Sequence, residues 1–266
     1  MNKIPKVIHY IWFGGGELNE KAKSCIENWQ QIHPDYEIKL WDESNFDLDN
    51  VPQYVKDAYN AKVYAMVSDY ARAKILYENG GWYCDTDVVF LKPFLDRYSD
   101  FNFVSPVEYS EEKNPKIKKM FFYDVLDENH RNKNEDGYVS GVAICISLIG
   151  AQRGCALLKD VMEHYDRLDW NKRDYKGCIF GGPIGPQIYA KCLEKYGFVY
   201  EPVEQYLDDE IYITGTEVMR NNFDDNTFDG ITCAVHWCSF SWFKPFVLDS
   251  ADKRKDGIHF TIENEP

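Results

Sequence analysis

Two carboxylates stand one residue apart at Asp85 and Asp87, directly after the short apolar segment that follows Gly80 and Gly81. Because side chains alternate along an extended segment, both carboxylates would point to the same side. Hard oxygen donors suit Mg²⁺ or Mn²⁺, which bind carboxylates together with substrate phosphates. The spacing predicts a metal site for a diphosphate-bearing ligand, although an isolated Asp-x-Asp also occurs in solvated turns between strands.

Three other residues join this chemistry only if the fold brings them to the Asp-x-Asp segment. Asp69 and Arg72 lie one turn apart on the small-residue stripe of a helix expected over about 55–79. They fit a buried ion pair that docks the helix, or a pair that reaches a ligand, and the pattern leaves both open. His236, near the end of an apolar strand, fits a hydrogen-bonded structural histidine or a metal ligand, depending on whether it meets Asp87.

The elements around these residues predict an α/β fold. An apolar run at 6–13 reads as a buried strand, Asn19 can cap a helix over 20–32, and 37–41 reads as a second strand. A strand, a helix and a strand in this order form a βαβ unit with a parallel pair. Further strands are expected at 102–107, 138–147, 211–214 and 231–237, and further helices at 154–168 and 187–196.

The composition limits the partners. The 266 residues carry a net charge of −14, from 44 acidic and 30 basic residues, which argues against a general nucleic-acid binder. A diphosphate ligand would need a cation to bind so acidic a chain. No apolar run reaches the ~18 residues of a membrane-spanning helix, and no signal peptide is recognised. The eight cysteines contain no Cys-x-x-Cys pair, so we expect reduced thiols in a cytoplasmic protein.

Four blocks, in the same order along the chain, resemble the DXD-containing glycosyltransferase family 32. This family includes bacterial capsular polysaccharide enzymes and yeast mannosyltransferases, and it is related to the clostridial glucosylating toxins. The resemblance covers about residues 4–95 and, more loosely, 231–243. Its blocks are the opening strand at 4–14, the helical segment at 68–72, the Gly-Gly-Trp-Tyr-Cys-Asp-Thr-Asp stretch at 80–87, and His236-Trp237 followed by Ser241-Trp242.

The resemblance implies a GT-A-type fold. This is a Rossmann-like α/β domain with a mixed, mostly parallel sheet flanked by helices, and it binds the nucleotide at the carboxyl ends of the strands. We expect a single glycosyltransferase domain over 1–248, with a small charged insert lobe at 110–137 that shapes the acceptor site. The segment 249–266 would be peripheral.

Donor-binding roles follow from the same resemblance. Trp12 would stack on the nucleotide base, and Tyr83 would contact the donor beside the Asp-x-Asp segment. Asp69 and Arg72 would hold the hydroxyls of the donor sugar, and the pair Ser241-Trp242 would close over the diphosphate.

The resemblance also implies the metal ligands. Asp85 would bridge the ribose and the cation, Asp87 would bind the cation directly, and His236 would be a third ligand of Mn²⁺ or Mg²⁺. The toxins have a carboxylate at the position aligned with His236, so this residue departs from their pattern. Histidine is nevertheless an ordinary ligand for Mn²⁺. The catalytic set expected from the family consists of Asp69, Arg72, Asp85 and Asp87.

The implied activity is retaining transfer of a sugar from a UDP- or GDP-sugar to a saccharide or lipid-linked oligosaccharide acceptor, in bacterial capsule or surface polysaccharide synthesis. Such an enzyme would be cytoplasmic, with peripheral contact at the inner membrane face considered by family analogy alone. Two alternatives stay open: a haloacid-dehalogenase-type phosphatase with Asp85 as nucleophile, and a non-catalytic nucleotide-sugar-binding module.

Overall fold

A computed structural model describes residues 3–109, 119, 122–172, 175–176, 178, 182–221 and 231–237. Five α-helices lie in these ranges: α1 Glu20–Ile32, α2 Gln53–Asn60, α3 Tyr64–Asn79, α4 Ala156–Tyr165 and α5 Gly185–Leu193. The described strands are β1 Val7–Ile11, β2 Glu37–Trp41, β3 Gly81–Cys84, β4 Val88–Phe90, β5 Phe103–Tyr109, β6 Val142–Ile144, β7 Leu148–Ala151, β8 Gln205–Leu207, β9 Ile211–Thr214, β10 Met219–Asn221 and β11 Ala234–His236.

The N-terminal βαβ unit forms as the sequence predicts. Asn19 caps α1, because its Oδ1 accepts the Ala22 N–H at 2.8 Å. Strands β1 and β2 pair in parallel with Val7 opposite Glu37, and β1 pairs in parallel with β3 on its other side. The carboxyl ends of these three strands therefore meet at one edge of the sheet.

The main sheet is mixed, as expected for a GT-A-type fold. Its order is β2-β1-β3-β7-β5-β9-β8, with β6 paired to β5. Strand β7 is antiparallel to both β3 and β5, so β3 and β5 run in the same direction, and β9 runs parallel to β5. A second sheet of three strands, β10-β11-β4, begins immediately after the Asp-x-Asp segment.

The prediction of a single helix over about 55–79 is wrong in one respect, because two helices occupy this stretch. Helix α2 ends at Asn60, Lys62 adopts a left-handed φ of 59°, and the Val63 N–H donates to the Ala58 carbonyl at 2.9 Å. The turn lets both helices bury apolar residues in the same core cluster, Val55 from α2 and Ala71 from α3 among them. Gly80 then ends α3 with a positive φ of 68°, as predicted.

The strand expected over 138–147 is much shorter than predicted. Gly141, with a φ of 114°, precedes β6, and beyond β6 the Cys145 N–H donates to the Pro106 carbonyl at 2.8 Å. This bend separates β6 from β7 and leaves residues 145–147 as a turn at the sheet edge. The expectation for 211–214 is confirmed by β9.

Several expectations fall on chain that the structure describes only in part. The predicted domain bounds, the insert lobe at 110–137 and the peripheral segment 249–266 therefore stay predictions. In the described ranges, every cysteine is a free thiol. A search of those same ranges finds no helix with the length and apolarity needed to span a bilayer.

Candidate functional site

The Asp-x-Asp segment forms a turn between β3 and β4, and the expectation of an extended segment is wrong. The Val88 N–H donates to the Asp85 carbonyl at 3.1 Å, and the Asp85 N–H donates to the Ser147 carbonyl at 2.9 Å. Helix α1 holds the far end, since the Trp29 indole N–H donates to the Val88 carbonyl at 2.8 Å. The turn is thus anchored from both sides at the carboxyl edge of β3.

Asp85, Asp87 and His236 converge on one point. Each offers a ligand atom, and these atoms all lie within 4.8 Å of one another. His236 Nε2 lies 3.2 Å from Asp87 Oδ1. Antiparallel pairing of β11 with β4 places His236 opposite Val88, which brings a residue from the far end of the described chain to this turn. Two carboxylates and an imidazole are ligands that Mn²⁺ and Mg²⁺ accept, so this donor set fits a divalent cation.

The position of His236 is supported by two further contacts. The Trp237 N–H donates to the Asp87 carbonyl at 2.9 Å, and Ser147 Oγ lies 3.4 Å from His236 Nδ1. Nδ1 of the imidazole is thus contacted by Ser147 while Nε2 faces Asp87. A ring fixed in this way presents Nε2 as the ligand nitrogen.

Arg72 is the centre of a second network that shares Asp85 with the first. From α3 its Nη2 lies 2.9 Å from Asp69 Oδ1, and its Nη1 lies 3.4 Å from Asp85 Oδ1. The same Nη1 donates to the Ile146 carbonyl at 2.7 Å, and the guanidinium sits 4.4 Å from the centre of the Tyr83 ring. With its side chain only 4% exposed, Arg72 is fixed by contacts on every side.

Asp69 is held from the opposite side by the start of α5. The Gly185 N–H donates to Asp69 Oδ2 at 3.1 Å. A Cβ at position 185 would lie 2.6 Å from that same oxygen, so the contact requires glycine. Gly185 therefore has a role at the site that sequence reasoning did not identify. Asp69 and Arg72 form the buried ion pair left open above, and through Asp85 the pair also reaches the metal cluster.

Burial sets the protonation of this network. It raises the pKa of Asp69 to about 6; the Arg72 guanidinium opposes the shift and the Asp85 carboxylate adds to it. Burial alone would lower the pKa of Arg72, but the Asp85, Tyr83 and Asp69 groups raise it overall, so the guanidinium stays charged. Burial also raises the pKa of Tyr83 well above its ordinary value. The neutral Tyr83 hydroxyl donates to Asp85 Oδ1 at 2.6 Å.

Of the remaining residues predicted to bind the sugar donor, the structure describes Trp12 alone. Trp12 follows β1 at the same sheet edge, and its indole N–H donates to the Gly16 carbonyl at 2.7 Å. The structure shows no contact between Trp12 and the Arg72 network among the described residues. Ser241 and Trp242 lie outside the described residues, so their closing role stays a prediction.

Two contributions were missed by sequence reasoning. The turn 145–147 supplies the Ile146 carbonyl to Arg72 and the Ser147 carbonyl to Asp85, which no side-chain pattern encodes. Glu108 interacts electrostatically with His236 and with Asp85. The sequence contains a clue to this role, since Glu108 is the one charged residue in the stretch Phe103–Tyr109.

Part of the chain is similar to known glycosyltransferases. Residues 19–108 match the model for the glycosyltransferase sugar-binding region containing the DXD motif. The chain is 38% identical over 89 residues to inositol phosphoceramide mannosyltransferase 2 of Schizosaccharomyces pombe, covering 32% of this chain and 25% of that protein. It is 35% identical over 98 residues to an uncharacterized glycosyltransferase of Acanthamoeba polyphaga mimivirus, covering 35% of this chain and 39% of the other. The matches thus span well under half of these relatives' own lengths.

Two solved glycosyltransferase structures are similar to this chain. The PaToxG glycosyltransferase has a TM-score of 0.46 at 16% identity, covering 72% of this chain and 69% of that one. A glycosyltransferase involved in glycosylation of the major capsid of PBCV-1 has a TM-score of 0.44 at 10% identity, covering 88% and 95%. The match over residues 19–108 is to the family that the sequence blocks of this chain resemble.

Proposed function

We propose that this protein is a metal-dependent, retaining glycosyltransferase that moves a sugar from a UDP- or GDP-sugar to a saccharide acceptor. The observation that carries the proposal is the shared position of Asp85. It belongs to the cluster with Asp87 and His236, and it also contacts Arg72. One carboxylate thus joins a cation site to a buried guanidinium, a combination of positive charges that suits a nucleoside diphosphate sugar.

The residues divide the work along the donor. Asp85, Asp87 and His236 would hold the cation, which when bound supplies neutralising charge to the departing diphosphate. Arg72 and Asp69 are expected to orient the donor-sugar hydroxyls, and Tyr83 fixes Asp85 through its hydroxyl. Because this network is already assembled by protein contacts, it would cost little reorganisation when the donor binds.

Retention is part of the proposal through the family resemblance. The bond from the sugar C1 to the phosphate oxygen breaks as the acceptor oxygen forms its bond to C1 on the same face. The acceptor proton passes to the leaving phosphate oxygen, so atoms and charges balance without a dedicated protein base. Asp69 is occupied by Arg72 and the Gly185 N–H, which suits an orienting role better than a base.

For the acceptor we propose only a broad chemical class. The relatives' names include inositol phosphoceramide mannosyltransferases, so a saccharide on a lipid carrier is a reasonable acceptor. Use in bacterial capsule or surface polysaccharide synthesis, and action in the cytoplasm at the inner membrane face, remain proposals from the sequence resemblance.

Two competing functions fit the contacts of Asp85 less well. A phosphatase nucleophile needs an oxygen poised to attack phosphorus, whereas Asp85 Oδ1 accepts the Tyr83 hydroxyl and lies 3.4 Å from Arg72. The family match of residues 19–108 also favours sugar transfer over phosphate-ester hydrolysis. A non-catalytic binding module would use the same contacts, so turnover is what distinguishes it.

A donor hydrolysis panel tests the proposal. The protein is incubated with UDP-glucose, UDP-galactose, UDP-N-acetylglucosamine and GDP-mannose, with Mn²⁺ or with a chelator. We expect slow, Mn²⁺-dependent release of nucleoside diphosphate from one donor, lost in Asp85→Asn protein that remains folded. Cleavage of p-nitrophenyl phosphate with a phosphorylated Asp85 would establish the phosphatase instead. Metal-independent donor binding without turnover would establish a binding module.

A further inference from the structure

Glu108 stands at the edge of the sheet that carries the site. Strands β3 and β5 run in the same direction, so the end of β5 lies at the same edge as the Asp-x-Asp turn. The pairing of β5 with β7 ends at Val104, and β5 continues past it to pair with β6 from Val107 to Tyr109. Glu108 is therefore on the portion of β5 that projects beyond the main sheet.

The turn 145–147 attaches this portion of β5 to the Asp-x-Asp turn. Pro106 accepts the Cys145 N–H at 2.8 Å, and the Ser105 hydroxyl donates to the Cys145 carbonyl at 3.0 Å. Two residues later, the Ser147 carbonyl accepts the Asp85 N–H. The backbone thus fixes the end of β5 relative to the metal cluster through a short chain of hydrogen bonds.

The neighbours of Glu108 show on which side of Asp85 its carboxyl lies. Its carboxyl interacts with His236 and with Asp85. Arg72 contacts Asp85 from α3, and Asp69 pairs with Arg72 on the same helix. Val104 shares a face of β5 with Glu108 and packs in the core cluster that contains Ala234 of β11, whereas Val107 on the opposite face packs in the cluster that contains Ala71 of α3. Glu108 therefore lies on the His236 side of Asp85, away from the residues expected to hold the donor sugar.

The Glu108 carboxylate is partly buried, yet no described residue donates a hydrogen bond or forms an ion pair with it. Burial raises its pKa, and the His236 imidazole opposes that shift. By contrast, the Asp69 and Asp85 carboxylates each accept a donor from the protein. A desolvated carboxylate without a donor carries a free-energy cost that a hydroxyl-rich ligand would remove.

We propose that Glu108 accepts a hydrogen bond from a hydroxyl of the saccharide acceptor and so orients the acceptor towards the donor. This inference rests on the proposed transferase function. The donor diphosphate is anionic and would be repelled by a further carboxylate, whereas sugar hydroxyls are neutral hydrogen-bond donors. Glu108 is thus a positioning and specificity residue on the acceptor side.

The test compares Glu108→Gln with Glu37→Gln, a control at an exposed position of β2 on the far edge of the same sheet. The donor is the one hydrolysed in the panel above, and the acceptor probes are the methyl α- and β-glycosides of mannose, glucose and galactose. Transfer and hydrolysis are measured together, with KM for donor and acceptor. Saturation-transfer NMR reports glycoside binding in the presence of nucleoside diphosphate and diamagnetic Mg²⁺.

We expect Glu108→Gln to raise the acceptor KM and to lower the ratio of transfer to hydrolysis by roughly ten- to a hundredfold, the loss of one charge-assisted hydrogen bond. The donor KM should change less than threefold, and Glu37→Gln should match wild type. An unchanged acceptor KM and ratio would overturn the inference while leaving the proposed function intact. So would wild-type protein that hydrolyses the donor but binds none of the glycosides. Wild-type protein that hydrolyses no nucleotide sugar would instead defeat the proposed function.

Discussion

The two sides of Asp85 balance their charges in different ways. On the α3 side, a guanidinium that is 4% exposed is enclosed by Asp69, Asp85, the Ile146 carbonyl and the Tyr83 ring. On the β11 side, Asp87 and His236 face each other with their side chains each 20% exposed. The first side is completed by protein contacts, whereas the second side is more open and has the donor set of a cation site.

This difference predicts which substitutions lower the stability of the fold and which lower metal binding. A buried charge network loses stability when one partner is removed, because the others stay behind unpaired. A cluster of acids at a cation site tends to repel itself without the cation, so removing one acid relieves repulsion. Substitutions on the two sides should therefore separate stability from metal binding.

The largest effect on stability is expected for Arg72→Ala. It leaves the Asp69 and Asp85 carboxylates without their cation in a buried setting, which costs about 3–5 kcal/mol of unfolding free energy. Urea unfolding followed by circular dichroism measures the loss. Arg97→Ala, at an exposed position after β4, is the matched control and should leave the midpoint nearly unchanged. A midpoint for Arg72→Ala equal to that of the control would contradict the central position of Arg72.

We expect low pH to destabilise the fold through His9, whose ring contacts the Gly80 carbonyl at the end of α3. The Trp41 indole N–H donates to His9 Nδ1 at 3.0 Å, so His9 Nε2–H donates to the Gly80 carbonyl at 2.9 Å. Burial lowers the pKa of His9 to about 4. Between the ordinary pKa of 6.5 and that value, the unfolded chain binds a proton that the folded chain does not.

The unfolding free energy should therefore fall as the pH falls from 6.5 to 4. The loss that comes from His9 reaches about 3 kcal/mol near pH 4. The measurement is the unfolding free energy at pH 7, 5.5 and 4.5, together with NMR titration of the histidine ring protons. His9→Gln keeps an N–H for the Gly80 carbonyl and should flatten the slope. A His9 ring that titrates near pH 6.5 would refute this prediction.

A smaller effect is expected for Tyr83→Phe, which removes one hydroxyl and keeps the ring against Arg72. Loss of the 2.6 Å bond to Asp85 should cost about 1–2 kcal/mol of stability and weaken Mn²⁺ binding several-fold, because Asp85 is then less well oriented. Tyr77→Phe is the control, since no described residue hydrogen-bonds to its hydroxyl. Equal Mn²⁺ affinities in the two variants would show that Tyr83 does not orient Asp85.

Local sequence signals predicted much of the first half of the fold. The cap at Asn19, the apolar run of β1 and the glycine stop at Gly80 act over a few residues, and the structure has all three. The break at Lys62 was missed because Ala61-Lys62-Val63 contains no glycine or proline. Its cause is tertiary, since both helices bury side chains in one cluster.

The sequence predicted the site residues whose side-chain type and spacing are informative. It did not predict the contacts that depend on pairing between distant parts of the chain. Asp69, Arg72, Asp85 and Asp87 were visible as spaced charges. The approach of His236 depends on the pairing of β11 with β4, across about half of the chain. The Ile146 and Ser147 carbonyls depend on a turn whose backbone no residue type specifies. Such contacts follow from topology and cannot be read from local periodicity.

The most direct test of the account is Mn²⁺ binding to Asp87→Asn protein, followed by electron paramagnetic resonance and compared with wild type. We expect wild-type protein to bind Mn²⁺ at one site that UDP or GDP strengthens. Asp87→Asn should lose this binding by at least a hundredfold while its unfolding free energy stays equal or rises slightly. Equal Mn²⁺ affinity in the two proteins, or a large loss of stability in Asp87→Asn, would contradict the assignment of this side of Asp85 to a cation.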